Sequence, residues 1–442
     1  MHIHINPISR LNGIVHAPGS KSYSHRAFVA AALSKGVSIL RNPLTSGDVG
    51  VTIDLLRKIG IKILKKEDNT YVIVREAESF LPCEKILDCK NSGTTFRFFS
   101  ALSLLIKGGL SLTGEFLEKK RPIIPLLEAL KKLGANYNLN NDQISIKRIK
   151  NNCDEIQILG DISSQFITVL LFICPILHCE NTCIIRINTT TPLVSYPYIQ
   201  ITKEILNSFG IIIQETIQPD NTANYIIGCD QTFRPQVYDI PGDFSSIAFL
   251  IAATVLTKKD SKVTIQNLDF QKPQGDKKFV KILLDMGAKI EVDENKHQLI
   301  VHGNIYKHPL CGINIDCRDV PDLFPILSVI GAFAKGKTIL YNASHLRYKE
   351  SDRIAILSRE LQKLGVKVKE NRDSLAIYQT KTLKGSNIDH ENDHRIAMAL
   401  IIACLFAKSS SELNNIEIIN DSYPDFLTHL NQIGANIEFE KD

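Results

Sequence analysis

The sequence predicts an α/β protein of two domains, each built from three copies of one repeated unit. Three observations predict it. The pattern Leu-x-x-apolar-Gly, then a small or branched apolar residue, any residue, and Ile, Val or Tyr, recurs six times, around Gly60, Gly134, Gly210, Gly287, Gly365 and Gly434. These glycines stand 69 to 78 residues apart, a regularity that marks an internal repeat. The chain has 442 residues, too many for one ordinary core, so the six units divide as three plus three.

Each copy reads as a helix that ends on a left-handed glycine and gives way at once to a strand. A turn signal at Tyr238-Asp239-Ile240-Pro241-Gly242 places a boundary after the third copy. The strands expected before Pro18-Gly19 precede the first copy and could join either half. If they join the second, the chain crosses between domains twice, at Pro18-Gly19-Ser20 and near Ile240, making a hinge with Lys21 beside it.

Composition is that of a globular protein, 44% hydrophobic and 22% charged, with a net charge of +5. That charge fits a small anionic ligand, and the chain lacks the basic stripe with interleaved aromatics that nucleic-acid binding needs. The longest apolar runs, 167–177 and 396–407, are too short to span a bilayer, and the N-terminus has no secretion signal. No membrane or nucleic-acid partner is expected, and the location expected is cytoplasmic. Of ten cysteines, the tightest group is Cys174, Cys179 and Cys183 with His178. It lacks a C-x2-C pair, so it reads as core thiols in a reducing compartment and not as a metal site.

The chemistry concentrates where turns meet helices. Pro18-Gly19-Ser20-Lys21-Ser22-Tyr23-Ser24-His25-Arg26 precedes an apolar run at 27–33, so its cations and hydroxyls sit at or just before a helix N-terminus, which favours an anion. It is not a nucleotide P-loop, because Ser20 and not glycine precedes Lys21. Asn91-Ser92-Gly93-Thr94-Thr95-Phe96-Arg97 leads into a helix at 98–106, and Asp161-Ile162-Ser163-Ser164-Gln165 into one at 166–173. Glu118-Lys119-Lys120-Arg121-Pro122 is a short basic run, and Ser195-Tyr196-Pro197-Tyr198 opens the helix leading to Phe209. The second half repeats the theme at Asp243-Phe244-Ser245-Ser246, Val320-Pro321-Asp322-Leu323, His345 to Arg353 and Asn392-Asp393-His394-Arg395. Any one of these could be an ordinary cap. Together they suggest an anion-binding cleft lined by cations, with Asp322 and Glu350 as its acid/base groups.

On these segments, with Gly114-Glu-x4-Lys120-Arg-Pro122 and Tyr423-Pro-Asp-Phe426 added, the chain resembles the EPSP synthase family along its whole length. The resemblance implies an inside-out α/β barrel of two domains with three βαβαββ units each, the enolpyruvyl transferase fold. It implies one discontinuous domain, 1–19 plus 240–442, holding the N-terminal strands, the phosphoenolpyruvate side and the acid/base groups. The domain 20–239 would hold shikimate 3-phosphate, with the active site in the cleft between domains. The family transfers the enolpyruvyl group of phosphoenolpyruvate (PEP) to the 5-hydroxyl of shikimate 3-phosphate by addition and elimination, without metal or cofactor. By motif match, shikimate 3-phosphate would contact Lys21, Ser22, Arg26, Ser163, Ser164, Gln165, Ser195, Asp322 and Lys349. PEP would contact Lys21, Gly93, Arg121, Gln165, Arg353 and Arg395. Asp322 would take the proton of the attacking hydroxyl, and Glu350, with Lys21, would move the proton at the PEP methylene. A monomer is expected.

One position departs from the family. Many members carry a PEP-binding lysine two residues before the aromatic of the Ser/Thr-aromatic-Pro signature, and here Asp421 stands there, before Ser422-Tyr423-Pro424. A carboxylate facing PEP at about 6 Å, in an effective dielectric near 20, would cost roughly 3 kcal/mol, a factor of about 100 in affinity. A weakened enzyme is therefore one alternative. The other is an enolpyruvyl transferase acting on UDP-N-acetylglucosamine, which has Lys-Asn in the first motif and usually a reactive Cys in the loop matching 115–121. This chain has Lys21-Ser22 and no Cys in that loop, which favours shikimate 3-phosphate.

Overall fold

The computed structural model describes residues 2–440. It separates into two compact units, Lys21–Ile240 and the pair of segments Met1–Ser20 and Pro241–Asp442. Each unit contains three four-stranded sheets, and all six sheets have one topology. In the second repeat, Leu87–Asp88 runs parallel to Leu110–Thr113, which is antiparallel to Gln143–Arg148, which pairs in turn with Ala135–Leu139. The helices Gly93–Leu102 and Ile124–Lys132 fall between these strands in sequence, giving β-α-β-α-β-β. The six repeat glycines lie at the ends of the second helices with φ between 83° and 109°, the left-handed caps that the spacing predicts.

Two repeats are assembled from distant pieces. His2–Asn6 is the last strand of the sixth repeat, pairing with Ser411–Leu413 on one side and Asn436–Glu440 on the other. Asn12–His16 is the first strand of the fourth, parallel to Ser261–Gln266, and Val237–Asp239 is the first strand of the first, parallel to Gly36–Arg41. The chain thus leaves the fourth repeat after its first strand and returns to it only at Pro241. Inside the discontinuous unit, departing and returning strands are bridged at Gly19 and Gly242, with Ser20 N–H to Pro241 O at 2.8 Å and Asp243 N–H to Pro18 O at 2.9 Å.

Beyond its opening turns the first helix of each repeat is largely apolar, and such a helix must be enclosed. In the discontinuous unit, Phe244–Val255, Phe324–Phe333 and His394–Cys404 pack on one another and are buried except at Ser245 and Phe333. In the other unit, Lys21–Leu33, Gly93–Leu102 and Ser164–Ile173 are buried except at Lys21, Ser22, Thr94 and Gln165. Helices lie inside and sheets outside. The inner helices of this second unit reach solvent only at their N-terminal turns.

The first polar cluster lies at its helix N-terminus, and the helix opens earlier than the apolar run, at Lys21, so Lys21 to Arg26 occupy its first turns. Two expectations change. The stretch from His345 to Arg353 is not one helix start. It is a short 3-10 turn, Ser344–Tyr348, then a loop, and the helix Arg353–Lys363 opens only at its last residue. The cysteines are not all thiols, because Cys153 and Cys179 form a disulfide with S–S 2.02 Å. Asn181 bonds the same loop, accepting from Cys153 N–H at 2.8 Å and donating to Cys153 O at 3.0 Å. A 26-residue separation carries no such information. Cys174 remains a buried thiol, whose pKa burial raises, and Cys183 is an exposed one.

The repeat caps differ in what a side chain would meet. A Cβ on Gly134 would lie 2.0 Å from Lys150 O, whereas on Gly365 it would meet only the Lys384 side chain at 3.7 Å. Gly365→Ala is expected to cost about 1–2 kcal/mol, the strain of a left-handed alanine, and Gly134→Ala clearly more. Chemical denaturation followed by circular dichroism would check this, and equal midpoints for the two variants would refute it.

Candidate active site

In the unit Lys21–Ile240 a chain of short contacts ties the helix starts together. Lys21 Nζ lies 3.2 Å from Asp48 Oδ2, both largely buried, and Asp48 sits in the first turn of Gly47–Lys58. Behind them, His25 Nδ1 meets Thr52 Oγ1 at 2.8 Å, Thr52 meets Thr95 at 2.7 Å, and Thr95 meets Ser92 at 2.7 Å. Ser92 caps Gly93–Leu102, and Thr95 Oγ1 also donates to Asp48 O at 3.3 Å. Burial, then Lys21 and Arg26, push the His25 pKa well down, so its ring is a neutral member of this hydroxyl chain.

Arg121 donates to Asn91 O at 3.1 Å and lies against the Phe116 ring. Its guanidinium covers Gly93 so closely that a Cβ there would fall 2.9 Å from Cζ. Gln165 is held at both ends, accepting from Arg97 Nη1 at 2.5 Å and donating to Thr94 Oγ1 at 3.0 Å. Arg97, set between the Phe116 and Phe166 rings, therefore fixes which way the Gln165 amide faces. Ser163 caps Ser164–Ile173, and Ser164 is buried behind it. Val194 N–H donates to Gly160 O at 3.1 Å, so the Ser195 turn adjoins this loop. Ser195 has φ 56°, an uncommon left-handed serine, and its buried hydroxyl has no partner among the described residues. A hydroxyl held in that state suits a ligand.

Arg26 differs from an open anion site. It is fully buried and spends four of its five N–H groups on Thr202 Oγ1, Ser22 O, Thr168 Oγ1 and Tyr198 O at 2.9–3.3 Å. Burial lowers its pKa to about 10. Arg26 joins three helices before it does anything else.

In the discontinuous unit the centre is Arg353, 1% exposed. Nε donates to Asp393 Oδ2 at 2.9 Å, Nη1 to Asp322 Oδ1 at 3.0 Å and Nη2 to Glu350 Oε2 at 2.9 Å. Burial works against the charge, but Asp393, Glu350 and Asp322 outweigh it and push the Arg353 pKa up. Asp322 also receives Arg395 Nη2 at 3.4 Å, and Asp393 caps His394–Cys404. Asp276 joins from the fourth repeat, bonded to Ser245 Oγ at 2.5 Å; burial and the nearby Asp322 push its pKa up to about 7. His345 is buried with neither ring nitrogen partnered among the described residues, and burial, then Lys349 and Arg353, lower its pKa to about 3. Lys349 lies just past the 3-10 turn, half-buried. Asp421 ends another 3-10 turn, Ile416–Asp421, beside Ser422, whose carbonyl accepts from Ser246 Oγ at 3.4 Å.

The structure thus gathers Lys21, Gly93, Arg121, Gln165 and the serines in one unit, and Asp322, Lys349, Glu350, Arg353 and Arg395 in the other. Sequence reasoning missed Asp48, Arg97, Asp276, His345 and Asp393. Their only sequence signal is a place within or beside the motifs, or, for Asp48 and Asp276, an acid in a helical first turn.

Residues 5–430 match the family EPSP synthase (3-phosphoshikimate 1-carboxyvinyltransferase). The chain is 40% identical over 439 residues to the 3-phosphoshikimate 1-carboxyvinyltransferase of Methanocaldococcus jannaschii, covering 98% of each. In fold it is similar to EPSP synthase from Acinetobacter baumannii, with TM-score 0.79, 23% identity and full coverage of both chains. It is also similar to the enolpyruvyl transferase NikO from Streptomyces tendae, with TM-score 0.78 and 18% identity, covering 99% of this chain and 98% of that one.

Asp276 makes a prediction about pH. Its folded pKa is raised, so the folded state binds its proton more tightly than the unfolded chain does, and stability falls as pH rises from about 4 through about 7. Asp276→Asn is expected to stabilise the protein by a few kcal/mol at pH 8 and by nothing measurable at pH 4. Melting temperatures of both proteins across that range test it; a difference independent of pH would exclude the assignment.

Proposed function

Because the chain belongs to the EPSP synthase (3-phosphoshikimate 1-carboxyvinyltransferase) family, we propose that it transfers the enolpyruvyl group of PEP to the 5-hydroxyl of shikimate 3-phosphate, releasing inorganic phosphate. The observation that carries the residue assignment is the pair of clusters at helix starts. One is rich in cations and hydroxyls, and the other is a carboxylate set organised by Arg353. In this reading both act on one pair of substrates. Lys21, Ser22, Ser163, Ser164, Gln165 and Ser195 hold shikimate 3-phosphate, joined by Lys349, and Arg26 supports that pocket by positioning its helices. Arg121, Arg353 and Arg395 hold the phosphate and carboxylate of PEP, each charge-assisted bond contributing about 1.5–3 kcal/mol.

Asp322 is the base for the 5-hydroxyl. Its two carboxylate oxygens accept from Arg353 and from Arg395. PEP at those arginines competes for the same N–H groups and leaves Asp322 oxygens open to the 5-hydroxyl. The hydroxyl oxygen attacks C2 of PEP as its proton passes to Asp322, while Glu350, with Lys21, delivers a proton to the methylene carbon. Elimination reverses the second transfer: the methyl group loses a proton, the C2–phosphate oxygen bond breaks, and phosphate leaves.

Phosphate release from PEP and shikimate 3-phosphate tests this reading, with UDP-N-acetylglucosamine as the competing acceptor. Turnover with shikimate 3-phosphate alone is expected, and turnover with the sugar nucleotide alone would overturn the assignment. Asp421→Lys is expected to lower KM for PEP, by up to about 100-fold if the side chain faces PEP. An unchanged KM would show that Asp421 is turned away.

Gly93→Ala forces the Arg121 guanidinium to shift by tenths of an ångström. It is expected to raise KM for PEP more than it changes kcat, measured at saturating shikimate 3-phosphate. Unaltered PEP kinetics would remove Arg121 from the PEP site.

A further inference from the structure

We propose that His2, His4 and Glu412 form a binding site for one divalent ion of the zinc, cobalt or nickel class, on the face of the sheet where the chain's first strand joins the sixth repeat. The placement follows from the register. Alternation along a strand puts His2 and His4 on one face, and their rings meet edge to face with centroids 5.4 Å apart. His4 lies directly opposite Glu412 on Ser411–Leu413. His4 Nε2 is 3.6 Å from Glu412 Oε1, and His2 Nε2 is 4.0 Å from Oε2. One donor atom from each residue falls within 4.8 Å of the others.

Ligands about 2.1 Å from a tetrahedral ion stand about 3.4 Å apart, so small side-chain rotations complete the triad, with water in the open position. Two imidazoles and a carboxylate favour zinc-like ions over magnesium or calcium. His2 carries the support that ligating histidines usually have. Its Nδ1 bonds to the Asn414 side-chain oxygen, which places the ring proton on Nδ1 and leaves the Nε2 lone pair directed at the site. Asn414 is itself anchored, its carbonyl meeting His390 Nε2 at 2.8 Å. On the other side of His4 stands Glu438, which accepts from Asn6 at 3.0 Å and is not needed as a ligand. None of the three ligands belongs to the cluster around Arg353. The bound ion would fasten the N-terminal strand to Ser411–Leu413 and so act as a staple.

The test uses the untagged full chain, since a histidine tag would dominate the signal. Zinc titration by calorimetry and cobalt titration by visible absorption are expected to show one saturable site with cobalt in a four- or five-coordinate spectrum. His4→Gln and Glu412→Gln, both on the sheet surface, are expected to weaken zinc binding at least about 10-fold, and Asn414→Ala about 10-fold. Zinc should raise the melting temperature of the wild type and not of His4→Gln. If His4→Gln fails to fold, Glu412→Gln decides. Equal zinc affinity in wild type and Glu412→Gln, or no saturable binding, would overturn the proposal.

Discussion

Apolar helices that must be enclosed on every side constrain everything else in this protein. Inner helices such as Ser164–Ile173 and His394–Cys404 have no polar face to turn outward, so sheets wrap them. In the unit Lys21–Ile240 only the N-terminal turns of such helices reach water. Helix N-termini carry unpaired N–H groups and the positive end of the dipole. Packing thus places an anion-attracting surface where several helices start together, and the side chains there decide which anion and which reaction.

The two units meet that situation differently. In one, hydroxyls and a neutral histidine pass hydrogen bonds from helix to helix, from His25 through Thr52 and Thr95 to Ser92. In the other, a buried guanidinium is surrounded by Asp322, Glu350 and Asp393. A buried charge that loses a partner typically costs about 3–5 kcal/mol. Arg353 therefore tolerates little loss from its set, and it holds the two carboxylates assigned to proton transfer, Asp322 and Glu350, in one fixed relation. An exposed ion pair would leave each to move independently.

The repeat was legible because each copy needs the same backbone device, a left-handed residue at the turn from helix to strand, and only glycine supplies it cheaply. The helix starts were legible for a similar reason: hydroxyls and charges beside apolar runs have few other places to be. What stayed hidden depends on partners far apart in sequence. Asp276 looks like any acid in a first turn until burial and Asp322 change its proton affinity. Arg97 looks like a helical cation until it meets Gln165, and His345 like a loop histidine until its nitrogens are buried with no partner among the described residues. Arg26 looks like a substrate-binding cation until its contacts show most of its donors committed to neighbouring helices. The Cys153–Cys179 bond is invisible to spacing, because the pairing depends on how the two loops meet in the fold, where Asn181 also bonds Cys153.

The interrupted fourth repeat has a consequence for synthesis. Residues 21–240 hold every strand and helix of their unit, so that unit can close as soon as residue 240 has cleared the ribosome. The other cannot. His2–Asn6 is made long before its two neighbours, Ser411–Leu413 and Asn436–Glu440. Until those neighbours emerge, the nascent chain carries an alternating strand, apolar only at Ile3 and Ile5, with two open edges and its pairing partners far away in sequence. The second unit to fold is also the one whose first strand is oldest, and its exposure to aggregation lasts for the whole of translation.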